Sequence, residues 1–254
     1  MRDLPNKQYD FFPLNQDCSS EQFCALSLTL HQFAESLGTA IDIKDDLTSN
    51  HSFEVAEISL LIAQSMRLDP AYCDAIHIAG HLHDIGKIGI SDQVLKKAGP
   101  LTTAEWQEMR QHSAHGYAIL KPVKSLTHGY KIAEMVLSHH ERFEGNGYPQ
   151  GLQGNDIPLG ARIIAVADAL STMLGNRRYR QAEPWESAVQ EISTCSGSHF
   201  DPEVTHAFFR VESQARQKIQ TVSGGNRTPP ASLPESPPPP ASFCSSPAAT
   251  FPTS

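Results

Sequence analysis

The sequence is poor in the features that mark several large protein classes. Its 254 residues include only five cysteines, and no two of them form a CxxC pair. Neither a zinc ribbon nor a disulfide framework is therefore indicated, and we expect reduced, mostly buried thiols. Basic residues are also scarce, with 20 Lys and Arg against 28 Asp and Glu. The resulting charge of −8 argues against a partner that is a nucleic acid polymer or an anionic membrane.

Long apolar runs are absent as well. No uninterrupted stretch approaches the ~18–20 residues of a membrane span, and the N-terminus lacks the basic-then-apolar pattern of a secretory signal. Together with the scattered cysteines, this pattern predicts a cytoplasmic protein without a membrane segment. A small anionic substrate remains compatible with the acidic balance, because local charge governs a pocket.

Convincing β-strand patterns and internal repeats are missing too, and apolar residues recur instead at steps of three and four. Such spacing is typical of helices, so the sequence predicts an all-α fold. A first helix begins near Ser19, and it carries one apolar stripe: Phe23, Leu26, Leu30, Phe33 and Leu37. Two heptads are too few for a coiled coil. We expect the stripe to pack onto its own domain, with a dimer seam as the alternative.

Composition divides the chain into three parts. Residues 1–18 show no periodicity and are predicted to form an irregular arm, and residues 19–217 carry the helical domain. Residues 222–254 are rich in Pro and Ser. A segment of that kind cannot bury enough apolar surface to offset its ordering entropy. We therefore expect a disordered tail, with a polyproline docking segment as the alternative.

The polar residues around His83 are the strongest chemical signal. His83 and Asp84 are adjacent, and Lys87 follows within one helical turn. A carboxylate beside an imidazole suits a divalent transition metal, and a carboxylate can bridge two metals. The alternative is a solvated helix end that Gly86 closes.

Further polar residues favour the metal interpretation. Asp168 lies in an almost wholly apolar helix, where an unpaired charge would cost several kcal/mol. His139 and His140 stand at a helix end, where consecutive side chains can reach two neighbouring metals. A long loop dense in Gly and Pro follows, from Glu144 to Pro158, and we expect it to be ordered and functional. The candidate ligands are His51, His83, Asp84, His112, His139, His140 and Asp168.

These residues fall in an ordered series of motifs. The series runs through residues 46–51 (Asp-Leu-Thr-Ser-Asn-His), 83–87 (His-Asp-Ile-Gly-Lys), 112–116 (His-x-x-x-Gly), 139–149 (His-His-Glu-Arg-Phe-Glu-Gly-Asn-Gly-Tyr-Pro), 161–168, 177–180 (Arg-Arg-Tyr-Arg) and 200–202 (Phe-Asp-Pro). From about Leu26 to Phe209, the chain resembles the HD-GYP domains. These are all-helical, metal-dependent phosphodiesterases that cleave cyclic di-GMP, and the resemblance implies an HD-type helical bundle with a long ordered GYP loop.

The resemblance also implies a centre of two divalent transition metals. His51, His83, Asp84 and Asp168 would hold one metal; His112, His139 and His140 would hold the second, with Asp84 bridging. All-N/O ligation suits iron or manganese, and zinc and nickel are also compatible. A metal-bridged hydroxide would then attack phosphorus, and the products would be pGpG, GMP or both.

Four further residues acquire roles from the same resemblance. Lys87 would act catalytically by neutralising charge on the phosphate in the transition state. Tyr148 in the GYP loop would contact the nucleotide. Arg177 and Arg180 would bind the outer phosphate or a guanine.

The chain departs from the family pattern at several positions. Glu54 stands where Arg is usual, and Phe143 and Glu144 replace Trp and Asp. Members with a third metal carry Glu where this chain has Leu47, so we expect two metals in the centre.

Two other functions stay open at this point. One is a signalling module with an HD fold that binds a nucleotide or a protein without turnover; the complete ligand set favours an enzyme over it. The other is an HD phosphohydrolase for a different nucleotide, against which the GYP loop argues. A homodimer or a separate sensory partner is compatible with either class.

Overall fold

The computed structural model describes residues 20–45, 50–127, 129–175 and 182–223. No β-strand occurs in these ranges, and the prediction of an all-α fold is confirmed. None of the helices described there is long and apolar enough to cross a bilayer. The α-helices are α1 (Ser20–Asp45), α2 (His51–Ser65), α3 (Pro70–Leu82), α4 (Asp92–Leu95), α5 (Thr103–Leu120), α6 (Lys124–Thr127), α7 (Ile132–Ser138), α8 (Leu159–Leu174), α9 (Trp185–Thr194) and α10 (Pro202–Ser223).

Two short 3-10 helices, Ile85–Gly89 and Gly154–Asp156, lie between these elements. The last helix extends past residue 217, the predicted end of the domain. The predicted arm, 1–18, lies outside the described residues, as does the predicted tail beyond Ser223.

The core forms around α2 and α8. Helix α2 packs against α3, α8 and α10, and α8 is buried almost all round, as its predominantly apolar sequence requires. Ile58, Ile163 and Ile164 have no measurable exposure. Burial of each such side chain contributes roughly 1.5–3 kcal/mol. The two helices that carry His51 and Asp168 thus lie in the buried core of the domain.

Caps fix where α3 and α5 begin. Asp69 accepts hydrogen bonds from the backbone N–H groups of Ala71 and Tyr72, and Pro70 occupies the first helical position. At α5 the Thr102 hydroxyl accepts from the Glu105 N–H while the Glu105 carboxylate accepts from the Thr102 N–H. These caps set the phase of the helices that present His83 and His112.

The apolar stripe of α1 does not pack as predicted. Leu30 packs against the core, but Phe33 and Leu37 are 64% and 43% exposed. The buried face of α1 is instead the one that carries Gly38. Helix α1 lies so close to its neighbours there that a side chain on Gly38 would collide with the carbonyl oxygen of His81 and with Ser52. Such a close approach selects small residues, and Ala34 lies on the same face. The alternative of a dimer seam on the outer face stays untested.

The cysteine prediction holds in part. Cys73 is a free, buried thiol, as expected. Cys195 is disulfide-bonded. The expectation of reduced thiols throughout is therefore wrong for Cys195.

Candidate metal centre

The fold brings all seven predicted ligands together. His51 opens α2, His83 follows the last residue of α3, and Asp84 comes next; Asp168 lies within α8. Their donor atoms form two groups, and within each group all donors lie within 4.8 Å of one another. The first group contains His51, His83 and Asp168, and the second contains Asp84, His112, His139 and His140.

Asp84 faces both groups. Its Oδ2 lies 3.2 Å from His83 Nε2 and 3.9 Å from His51 Nε2. Its Oδ1 lies 3.5 Å from His112 Nε2. One oxygen for each group is the arrangement expected of a bridging carboxylate.

Backbone carbonyls orient three of the imidazoles in the same way. The Nδ1 atoms of His83, His112 and His139 lie 2.7–2.8 Å from the carbonyl oxygens three residues earlier in each helix. A carbonyl only accepts, so each Nδ1 carries a proton, and in the neutral imidazole that binds metal each Nε2 keeps its lone pair. The His112 and His139 Nε2 atoms lie 3.4 Å apart, and both therefore point into the centre.

His51 is oriented by side chains instead. The Ser171 hydroxyl donates to Glu54 Oε2 at 2.8 Å, and its oxygen lies 3.0 Å from His51 Nδ1. Since the hydroxyl proton is committed to Glu54, the hydroxyl accepts from His51 Nδ1–H. Glu54, the departure from the family pattern, thus belongs to a buried relay that leaves His51 Nε2 as a lone-pair donor.

Sequence reasoning gave Ser171 no role and left the effect of Glu54 open. Both follow a predicted ligand by three residues, Glu54 after His51 and Ser171 after Asp168. That helical spacing places them on the same faces as the ligands, and it is the signal that could have found them.

Two features of the site suit a metal: the chemical type of its donors, and ring nitrogens whose lone pairs have no hydrogen-bond donor facing them. Within the ranges that the structure describes, His51 Nε2 and His83 Nε2 are buried without a hydrogen-bond partner. Such atoms require a partner. The donors are imidazole and carboxylate, with no thiolate, which suits a divalent transition metal.

Electrostatics also draw positive charge to the site. Burial raises the pKa of Asp84, but Lys87 and His83 outweigh it and hold that pKa well below its usual value. Burial lowers the pKa of His83, yet the Asp84 carboxylate outweighs it and raises the pKa to about 9. Burial and the neighbouring imidazoles lower the pKa of His139 to about 3. The carboxylates are thus ionised, and His139 is a neutral donor.

Gly86 sets the distance between the two groups. A side chain there would collide with the backbone oxygen of His112 and the N–H of Gly116. Only glycine lets the 3-10 helix Ile85–Gly89 lie directly against α5. This contact, and not helix termination alone, places Asp84 beside His112.

Lys87 shares a face with Asp84, as its spacing predicted. Its Nζ lies 2.7 Å from Asp84 Oδ2 and 2.6 Å from Asp45 Oδ2. The ammonium therefore lies between two carboxylates at the edge of the centre, in a position suited to a positive charge.

The GYP loop closes one side of the centre. The Tyr148 ring stacks on His140, with ring centroids 4.9 Å apart, and the Arg110 guanidinium lies 5.0 Å from the Tyr148 ring centroid. Sequence reasoning gave Arg110 no role, because only the fold carries it to the loop. Arg177 and Arg180, the predicted phosphate or guanine contacts, lie outside the described residues.

A buried carboxylate fixes the shape of the loop. Glu141 accepts hydrogen bonds from the backbone N–H groups of Gln150, Gly151 and Leu152 at 2.7–3.1 Å. The Glu144 N–H donates to the Ser198 carbonyl at 2.8 Å, which ties the loop to the segment before α10. The prediction of a long ordered loop is confirmed.

The HD-domain profile matches residues 35–204 of the chain. This chain belongs to the HD-domain family. The resemblance to its HD-GYP members is also confirmed, because similar proteins are named as phosphodiesterases of cyclic dinucleotides.

Two relatives and one solved structure show which HD-domain proteins this chain is similar to. It is 38% identical over 205 residues to a cyclic di-GMP phosphodiesterase of Thermotoga maritima, covering 79% of this chain and 54% of the relative. It is 36% identical to 3'3'-cGAMP-specific phosphodiesterase 3 of Vibrio cholerae, covering 66% of this chain and 36% of the relative.

The crystal structure of a cyclic GMP-AMP-specific phosphodiesterase from Vibrio cholerae superposes with a TM-score of 0.59 at 21% identity, covering 75% of this chain and 50% of that one. That likeness shows the shared fold. The chain spans about half the length, or less, of these relatives.

Proposed function

We propose that the protein is a metal-dependent phosphodiesterase that hydrolyses cyclic di-GMP to pGpG, GMP or both. One observation carries the proposal: seven imidazole and carboxylate donors converge in two adjoining groups with Asp84 between them. The 38% identity to a cyclic di-GMP phosphodiesterase supports the substrate. A non-catalytic binding module would not require the complete donor set.

Each donor would have a defined task. His51, His83, Asp84 and Asp168 would hold one metal, and His112, His139 and His140 the other, with Asp84 shared. When bound, two divalent cations, for which the all-N/O donors favour iron or manganese, would lower the pKa of a water molecule and polarise the phosphate. The backbone carbonyls and Ser171 would keep four of the five imidazoles, those of His51, His83, His112 and His139, in the tautomer that binds metal.

Other residues would act on the substrate itself. Lys87 would balance negative charge on the phosphate, because its ammonium already lies 2.7 Å from the shared carboxylate. Tyr148 and Arg110 would contact the nucleotide from the loop side. Arg177 and Arg180 retain their proposed contacts with the outer phosphate or guanine. The protein would act on a free second messenger in the cytoplasm.

A second substrate, 3'3'-cGAMP, is supported by the 36% identity to a cGAMP-specific relative. The two cyclic dinucleotides share the phosphodiester that is cleaved and differ in one base. The same centre would therefore cleave both, and contacts to the base would set their ratio.

Product analysis by chromatography tests the proposal. Purified protein is incubated anaerobically with Fe(II) or Mn(II) and either cyclic dinucleotide. We expect linear products, with cyclic di-GMP consumed faster. Asp84→Ala should abolish hydrolysis and lower the metal content while the helical circular dichroism is retained.

The matched control is Asp92→Ala, which removes a carboxylate with 64% side-chain exposure from the start of α4. It should behave like the wild type. Tight binding of cyclic di-GMP without any product under either metal would instead identify a binding module. Faster consumption of 3'3'-cGAMP would reassign the preferred substrate.

A further inference from the structure

A second group of imidazoles lies away from the metal centre. They line a cavity of about 580 Å³ bounded by α1, α2, α3 and α10, and none of the seven centre ligands lines it. The imidazoles are those of His31, His77 and His81. The proposed function assigns no task to any of them.

The ring centroids of these histidines lie about as close together as those of the metal centre, although the donor atoms of the described residues converge within 4.8 Å only in the two centre groups. His77 and His81 are four residues apart on α3, the interval at which two histidines on one helix bind a common zinc ion. Their ring centroids are 4.8 Å apart, and those of His31 and His77 are 5.4 Å apart. The corresponding distances from His112 to His140 and His139 are 4.9 and 5.4 Å.

A carboxylate and an unsatisfied nitrogen complete the group. Glu57 Oε1 lies 3.3 Å from His77 Nε2. His81 is only 3% exposed, and its buried Nδ1 has no hydrogen-bond partner among the residues that the structure describes. A buried polar atom of this kind calls for a missing partner, such as a water molecule or an ion.

The charge around the cavity selects a cation. Glu35, Glu57 and Asp74 line it, against the single ammonium of Lys218. Imidazoles with carboxylates are ligands of divalent transition metals, zinc among them. An anionic ligand would meet three negative charges.

We propose that this cavity binds one divalent transition-metal ion through His31, His77, His81 and Glu57, separately from the catalytic centre. Among the described residues, only the two centre groups have donors all within 4.8 Å of one another. Closure of the second site therefore requires the rings to rotate. It also requires Lys218, which is 2.5 Å from Glu57 Oε2, to leave that oxygen. The bound ion would tie α1 to α2 and α3.

Zinc stoichiometry of the full-length chain tests the proposal. Protein stripped with a chelator is dialysed against buffered Zn²⁺, and the bound zinc is measured by elemental analysis. His77→Gln and His31→Gln should each bind one zinc ion fewer than the wild type. His206→Gln, a change at an exposed histidine on α10, should bind the wild-type number. His81 is left unchanged because it lies two residues from His83.

Two further variants make the test independent of the proposed function. In an Asp84→Ala background, in which the centre is impaired, His77→Gln should still remove one zinc ion. His77→Gln alone should leave hydrolysis unchanged. Lys218→Met should tighten zinc binding at this site about two- to five-fold, because a competing charge is lost from Glu57. Equal zinc content in wild type and His77→Gln, in either background, would overturn the second site.

Discussion

Among single residues, Lys87 has contacts that lead to a direct prediction. Its ammonium lies against Asp84 and Asp45, so it can move to a phosphate oxygen without crossing the site. Lys87→Ala should retain both metals, because an ammonium is not a ligand. It should lower kcat/KM by ~10²-fold or more, the scale for loss of one preorganised charge from a transition state. Steady-state kinetics beside metal analysis measures both.

Two comparisons test this role. Lys87→Arg should restore only part of kcat/KM, because a planar guanidinium fits a one-point contact poorly. Lys96→Ala, which removes an exposed lysine that pairs with Asp92, should have no effect. If Lys87→Ala kept full metal and wild-type kcat/KM, Lys87 would serve only to neutralise the two carboxylates.

Ser171 makes a different prediction, because it contacts a metal ligand and not the substrate. Ser171→Ala removes the hydroxyl that links His51 to Glu54, which frees the His51 tautomer and leaves a buried carboxylate with one donor fewer. Loss of such a partner typically lowers metal affinity by 10- to 100-fold. Metal retention during dialysis against graded chelator is the measurement.

The matched change is Ser59→Ala, at another buried serine, whose hydroxyl has no hydrogen-bond partner within the described ranges. It should retain metal as the wild type does. Equal retention by Ser171→Ala would show that the carbonyls around the other imidazoles suffice to orient the centre.

At the scale of elements, the GYP loop depends on the absence of one side chain. An added Cβ on Gly147 would collide with backbone atoms of Arg142 and Glu141, which cannot rotate away. Gly147→Ala should therefore displace Tyr148 from His140, lower kcat/KM and reduce stability by roughly 1–3 kcal/mol. Thermal unfolding and kinetics measure the two effects.

Gly99→Ala is the control, because a Cβ there would meet nothing within 4 Å. Its melting temperature and kcat/KM should match the wild type. A Gly147→Ala protein with both quantities unchanged would mean that the loop tolerates a shift and does not shape the pocket.

The elements also show what the sequence can and cannot predict. Most of the candidate donors were predictable because each is a polar residue at a helix end or, like Asp168, in an apolar helix where a charge needs a partner. His112 lies inside α5, and only its place in the series of motifs indicated it. The buried face of α1 was not, since the choice between Phe33 and Ala34 depends on how closely α1 approaches α3 at Gly38. The periodicity of apolar residues shows which residues share a face of a helix. It does not show how closely the backbone of a neighbouring helix approaches that face.

At the scale of the whole molecule, the centre depends on distant parts of the chain. Its ligands run from His51 to Asp168 and come from helices that meet only in the folded domain. The centre would therefore link metal affinity to folding free energy, and a free metal concentration 100 times the Kd would add about 2.7 kcal/mol to stability. No isolated helix pair of this fold contains the full ligand set.

The distance between His51 and Asp168 along the chain also bears on how the protein is made. A ribosome adds residues at ~5–20 per second, so on the order of ten seconds separate the synthesis of these two ligands. During that interval the early imidazoles are present without the carboxylate that completes their group. A nascent chain would therefore lack the complete centre, and metal would be acquired only after α8 has emerged and docked.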